Sequence, residues 1–198
     1  MKAGNDLTIG RQMTETLTNE DLLAFCDACS WTFQAWSIHR GFQDRLPGNS
    51  ELVRKHGYLL QRLSIITQEY TLQQIAKLHD PTGKPGQFNL GISFIVERGC
   101  WDDETQAILK GMRDELGELP KRLLVARNKV LAHHDRDNAI ASRALGEFPE
   151  GMDDTYFETL QAFVNLVHHK RIGGPYPFDD LAKVDTEAFV EALRCGVR

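Results

Sequence analysis

The segment "LTNEDLLAFCDACSWTFQAW", Leu17 to Trp36, decides the fold class. Thr18 or Asn19 stands where a helix needs a side-chain cap. Glu20 and Asp21 place negative charge in the first turn, where unpaired N–H groups and the helix dipole favour it. Leu22, Cys26, Cys29, Phe33 and Trp36 then follow steps of four and three residues, the spacing of one buried helical stripe.

The same pattern recurs along the chain. After the break "RLPGNS", Asn49 or Ser50 is expected to cap a second long helix running to about Leu78, with Leu52, Leu59, Leu63, Ile66 and Tyr70 as its inner face. "HDPTGKPGQFN", with two prolines and two glycines, reads as a loop. "LGISFIVERG" fits a short helix or a strand, and periodicity does not choose between them. "DDETQAILKGMRDELG" is a helix with an acidic start and Gly117 near its end. "EGMDDTYFETLQAFVNLVHHKRIGG" is another, stopped by Gly173, Gly174 and Pro175. A last short helix is expected from Asp185 to Arg194. No series of alternating strands and no fixed-period repeat interrupts this order. The expectation is an all-α bundle of five to seven helices, forming a single domain over residues 18–198 after a loose, polar lead-in over residues 1–17.

The 198 residues, 41% hydrophobic and 26% charged, suffice for one sizeable core. A net charge of -5 argues against a generic nucleic-acid coat, which needs a basic field. The basic exception is local: from Lys121 to Arg136, five Lys and Arg residues face only Asp135. The first residues carry no apolar run of signal-peptide length, and no stretch approaches a membrane span, so a cytoplasmic protein without membrane contact is expected.

That local exception is "KRLLVARNKVLAHHD", Lys121 to Asp135. Read as a helix at roughly 100° per residue, it brings Leu123, Leu124, Val130 and Leu131 to one face. Arg127 falls in the middle of that face and His134 falls there too. Lys121, Arg122, Lys129 and His133 sit towards the opposite side. An unpaired arginine costs several kcal/mol in a core, so two explanations are open. Arg127 pairs with a carboxylate on a neighbouring helix, with His134 a satisfied core residue; or the stripe lines a cleft or dimer seam where a guanidinium meets phosphate.

Other candidates are weaker. Cys26 and Cys29 have the spacing of a redox or zinc motif but lie mid-helix on the apolar face, and no second cluster supplies further ligands. They read as buried small hydrophobes, with no metal and no cofactor expected. His168 and His169 end an apolar run and read as capping, solvated cations in a last turn. Trp31, Trp36 and Trp101 read as core or interface packing.

"RNKVLAHHD" resembles the signature of the HEPN superfamily, in which an arginine, a polar residue and a short spacer precede a histidine. Arg127, Asn128 directly after it and His133, with five residues between the arginine and the histidine, fit it. The run looks most like the abortive-infection U-type (AbiU-like) branch, which favours an Arg-x-Lys-x-x-Ala-His-x-Asp-like order. Arg127, Lys129, Ala132, His133 and Asp135 meet that order, with Arg136 just beyond. "LHDP", at the end of the second long helix, is similar to a helix end of the same branch.

The resemblance implies a HEPN-like homodimer that cuts RNA without a metal, in phage defence or a toxin–antitoxin pair with an antitoxin protein as partner. Arg127 and His133 would be catalytic, and Asn128, Lys129, His134, Asp135 and Arg136 would bind RNA or phosphate. Helix geometry adds a tension. His133 lies about 240° round the helix from Arg127, whereas His134 is about 20° short of two full turns. Both are kept, His133 first. The alternative is a non-catalytic helical interaction module that binds a partner protein, a nucleotide or RNA.

Overall fold

Helix α1 (Asn19–Arg45) begins with a reciprocal cap. The Thr18 hydroxyl accepts from the Asp21 N–H at 3.0 Å, and the Asp21 carboxylate accepts from the Thr18 N–H at 3.0 Å. Thr18 is therefore the cap and Asn19 the first helical residue, the arrangement of a capping box with aspartate in the acidic position. The computed structural model describes residues 16–45, 50–126 and 151–196. Its remaining elements are α2 (Ser50–Leu78), β1 (Gly83–Lys84), β2 (Gln87–Phe88), α3 (Ile92–Arg98), α4 (Asp103–Leu116), α5 (Glu118–Ala126), α6 (Met152–Arg171) and α7 (Leu181–Cys195). The protein is all-α, with seven helices among the described residues.

The two long helices α1 and α2, of 27 and 29 residues, pack against each other as the spine of the bundle. Each is about 40 Å long at 1.5 Å per residue. One end of the spine holds the main core, where Leu22, Phe25, Cys26 and Cys29 of α1 meet Leu160, Phe163 and Val164 of α6. The other end holds a smaller core of Phe42, Leu52, Leu60 and Val190, formed by α1, α2 and α7. Gly41 makes that second contact possible, since a Cβ there would stand 2.8 Å from Thr186 Cγ2 on α7.

Several expectations are corrected by this packing. On α2, Leu52 is buried and Leu63 half-buried, but Leu59, Ile66 and Tyr70 are exposed. The buried positions are Leu52, Leu60, Thr71, Leu72, Ile75 and Leu78. The true face is rotated by roughly 110° from the expected stripe at 100° per residue. Ser50 is the first residue of α2 rather than its cap, and Asn49 lies outside the described residues. The last helix starts at Leu181, four residues before Asp185, because Asp180 O accepts from the N–H groups of Lys183 and Val184, both at 3.0 Å. Leu17, last residue of the expected lead-in, is buried in the main core. Its carbonyl accepts from Arg171 Nη2 at 2.6 Å and its N–H donates to Arg98 O at 2.9 Å.

"LGISFIVERG" resolves as helix α3, which buries Ile92, Phe94, Ile95 and Val96. The Pro/Gly-rich loop contains a tight antiparallel pair in which Lys84 faces Gln87. Pro85 and Gly86 form its turn, and Gly86 has φ +85°, a conformation that glycine adopts without steric cost. Asp102 caps α4 by accepting from Thr105 N at 2.8 Å. No described helix is long and apolar enough to cross a membrane.

Candidate functional site

Helix α5 leads directly into the Arg127 motif. Leu119 and Leu123, one turn apart, form its buried edge, while Lys121 and Arg122 are exposed. Lys121 Nζ donates to Glu118 Oε1 at 2.6 Å within the first turn. Pro120 lies inside that first turn, a position where its missing N–H leaves no intrahelical bond unmade. The last residue of α5 is Ala126. Arg127, Asn128, Lys129, His133, His134, Asp135 and Arg136 all lie outside the described residues.

What the structure does place is the helix that precedes that motif in the chain. A cleft of about 220 Å³ runs between the end of α2 and the start of α5, lined by Leu72, Ile75 and His79 on one side and Pro120, Lys121 and Leu123 on the other. Its walls are largely apolar, with His79 and Lys121 as polar exceptions. His79 Nε2 shares a 3.0 Å hydrogen bond with the Tyr156 hydroxyl, and the two rings lie 5.8 Å apart. Burial pulls the His79 pKa down to about 4 and pushes the Tyr156 phenol well above its usual range. At neutral pH both groups are uncharged. The cleft therefore presents an apolar surface with an uncharged imidazole on one wall.

His79 is the residue that the sequence reading did not single out as a site. The only signal was its place in "LHDP", directly after the last apolar residue of α2. The cysteine pair is placed as expected. Cys26 and Cys29 are buried and free, and burial raises the Cys26 thiol to about 12 and the Cys29 thiol well above its usual value. Neither is a ready thiolate for metal or redox chemistry. Among the described residues no group of three or more His, Cys, Asp or Glu side chains is placed to hold a metal ion.

The histidine pair at the end of α6 divides. His168 is buried and its Nδ1 lies 2.9 Å from Gly174 O, so it fixes the turn from a dry position rather than a solvated one. His169 is exposed, as expected. Trp36 packs in an aromatic cluster and Trp101 Nε1 donates to Ile95 O at 2.9 Å. Trp31 is exposed and bonds the Tyr70 hydroxyl across α1 and α2.

An all-helical bundle whose fifth helix is followed in the chain by an Arg-Asn-to-His motif points to the HEPN class. The chain belongs to the HEPN AbiU2 family, an abortive-infection family whose model matches residues 11–191. No curated protein and no solved structure matches the chain.

Proposed function

We propose that the protein is a metal-independent endoribonuclease that acts in phage defence or a toxin–antitoxin system, with Arg127 and His133 as its catalytic pair. The observation that carries this reading is the motif from Arg127 to Asp135 within a chain matched by the HEPN AbiU2 model over residues 11–191. The proposed chemistry is transesterification. The RNA 2′-hydroxyl gives its proton to His133 and attacks the adjacent phosphorus, the bond to the 5′-oxygen breaks, and that oxygen takes up a proton from water, while His133 later returns its proton to solvent. The products are a 2′,3′-cyclic phosphate and a 5′-hydroxyl. Arg127 holds the non-bridging oxygens with its fork of donors and offsets their developing charge. Asn128, Lys129, His134, Asp135 and Arg136 position the strand, and the apolar cleft beside α5 receives a neighbouring base.

The test is incubation of the purified protein with mixed RNA and tRNA, with and without EDTA, followed by end-group mapping. Cyclic phosphate ends that persist in EDTA are expected. Arg127→Ala and His133→Ala should each lower cleavage by on the order of a hundredfold or more while the protein stays folded. Loss of activity in His134→Ala alone would make helix geometry the better guide to the active histidine. If the wild type leaves RNA intact yet holds a protein or nucleotide through this segment, the non-catalytic interaction module, which the acidic net charge of -5 favours, replaces the nuclease reading.

A further inference from the structure

A second cleft, of about 370 Å³, lies on the side of the bundle built by α1, α6 and the segment before α7. Its floor is aromatic. Phe33 lies 5.6 Å from Trp36 and 5.2 Å from Phe178, and Trp36 stacks on Phe157 at 4.6 Å. Its rim is acidic, with Asp154 half-exposed and Glu158 exposed one turn further along α6. The rings are held in place from behind. Gln161 accepts from the Phe178 N–H at 2.6 Å and donates to Tyr176 O at 2.9 Å, which straps "PYPF" onto α6. Trp36 Nε1 donates to the buried Asp153 at 2.9 Å.

We infer that this cleft docks an arginine side chain of a partner protein. Aromatic faces carry negative charge density and attract a cation, and a guanidinium also stacks flat on them. The surrounding charge points the same way. Asp153, Asp154 and Glu158 are three carboxylates against the single guanidinium of Arg40, whose contacts to Asp153 and Asp154 are long, at 3.4 and 3.7 Å. Glu158 has no ion pair among the described residues. Arg40 itself lies 6.0 Å from the Trp36 ring, so the ring already accepts a cation at long range. The mouth is open, whereas a small metabolite site encloses most of its ligand, and this favours a side chain projecting from a protein surface. The same carboxylates repel an RNA backbone. None of the residues that line the cleft belongs to the segment from Arg127 to Arg136.

The experiment uses the full chain and two probes, acetyl-Gly-Arg-Gly-amide and the same peptide with citrulline, the uncharged isostere of arginine. Binding is read from the assigned indole N–H resonance of Trp36. Saturable shifts are expected with the arginine peptide, with at least tenfold weaker binding of the citrulline peptide. Glu158→Gln, at an exposed position that does not support the fold, should weaken the arginine peptide at least threefold. Phe178→Ala should weaken it further. Equal binding of the two peptides, no saturable shift with either, undiminished binding to Glu158→Gln, or the same shift with an RNA oligonucleotide would each overturn the inference.

Discussion

His79 shows what a single residue gains from the fold. It follows the last residue of α2, and Tyr156, 77 residues later in the chain, covers it. Burial lowers its pKa from 6.5 to about 4, so below pH 6.5 the unfolded chain takes up a proton that the folded protein refuses. Its full contribution is present above pH 6.5 and is lost progressively as the pH falls towards 4, a difference on the order of 3 kcal/mol. Urea titrations at pH 7 and pH 4.5 should show His79→Gln losing less stability on acidification than the wild type. Equal losses would mean that His79 is charged or solvated in the folded protein. The sequence could not show this, because the burial of His79 depends on a partner remote in the chain. Cys26 and Cys29 were legible for the opposite reason: their own helical register states which way they face. The Arg127-to-His133 motif was legible as a family signature, and its geometry lies outside the described residues.

At the scale of elements, caps and breakers were easier to read than faces. Thr18, Asp102 and the glycines after α6 act within a few residues of themselves, so local chemistry locates the helix ends. The inner face of α2 is different, since neighbouring helices choose it. Its sequence offers two apolar stripes, one through Leu59, Ile66 and Tyr70 and another through Leu60, Ile75 and Leu78; the second is buried throughout, while of the expected face only Leu52 and Leu63 reach the smaller core. Leu60→Ala should therefore cost about 2 to 5 kcal/mol, whereas Leu59→Ala should stay within about 0.5 kcal/mol. Chemical denaturation of the two variants checks the assignment, and a larger loss for Leu59→Ala would restore the inner face expected from sequence. The start of α7 carries a similar lesson. Its expected start at Asp185 ignored Asp180, whose carbonyl anchors the true first turn.

The whole molecule leaves the first of those α2 stripes facing outward, with Trp31 beside Tyr70 on the neighbouring helix. A row of apolar side chains at helical spacing can meet its own copy about a two-fold axis, the geometry that the homodimer implied by the HEPN resemblance would need. Light scattering is expected to give twice the chain mass of 22.4 kDa, falling to one chain in Ile66→Glu with little change in folding stability. The same assembly sets a sharper test of the nuclease. If each active centre takes Arg127 from one copy and His133 from the other, a mixed dimer of Arg127→Ala and His133→Ala chains contains one centre with both wild-type groups. Co-refolding the two inactive variants should then recover cleavage, up to about half the wild-type rate at each mixed dimer, since one of its two centres is intact. If both groups act from the same chain, the mixture stays inactive, because every centre lacks one of them. Recovery in the mixture but not in either parent would place the RNA across the seam between two copies. Activity in a monomeric Ile66→Glu protein would instead confine the chemistry to one chain and remove the need for the dimer.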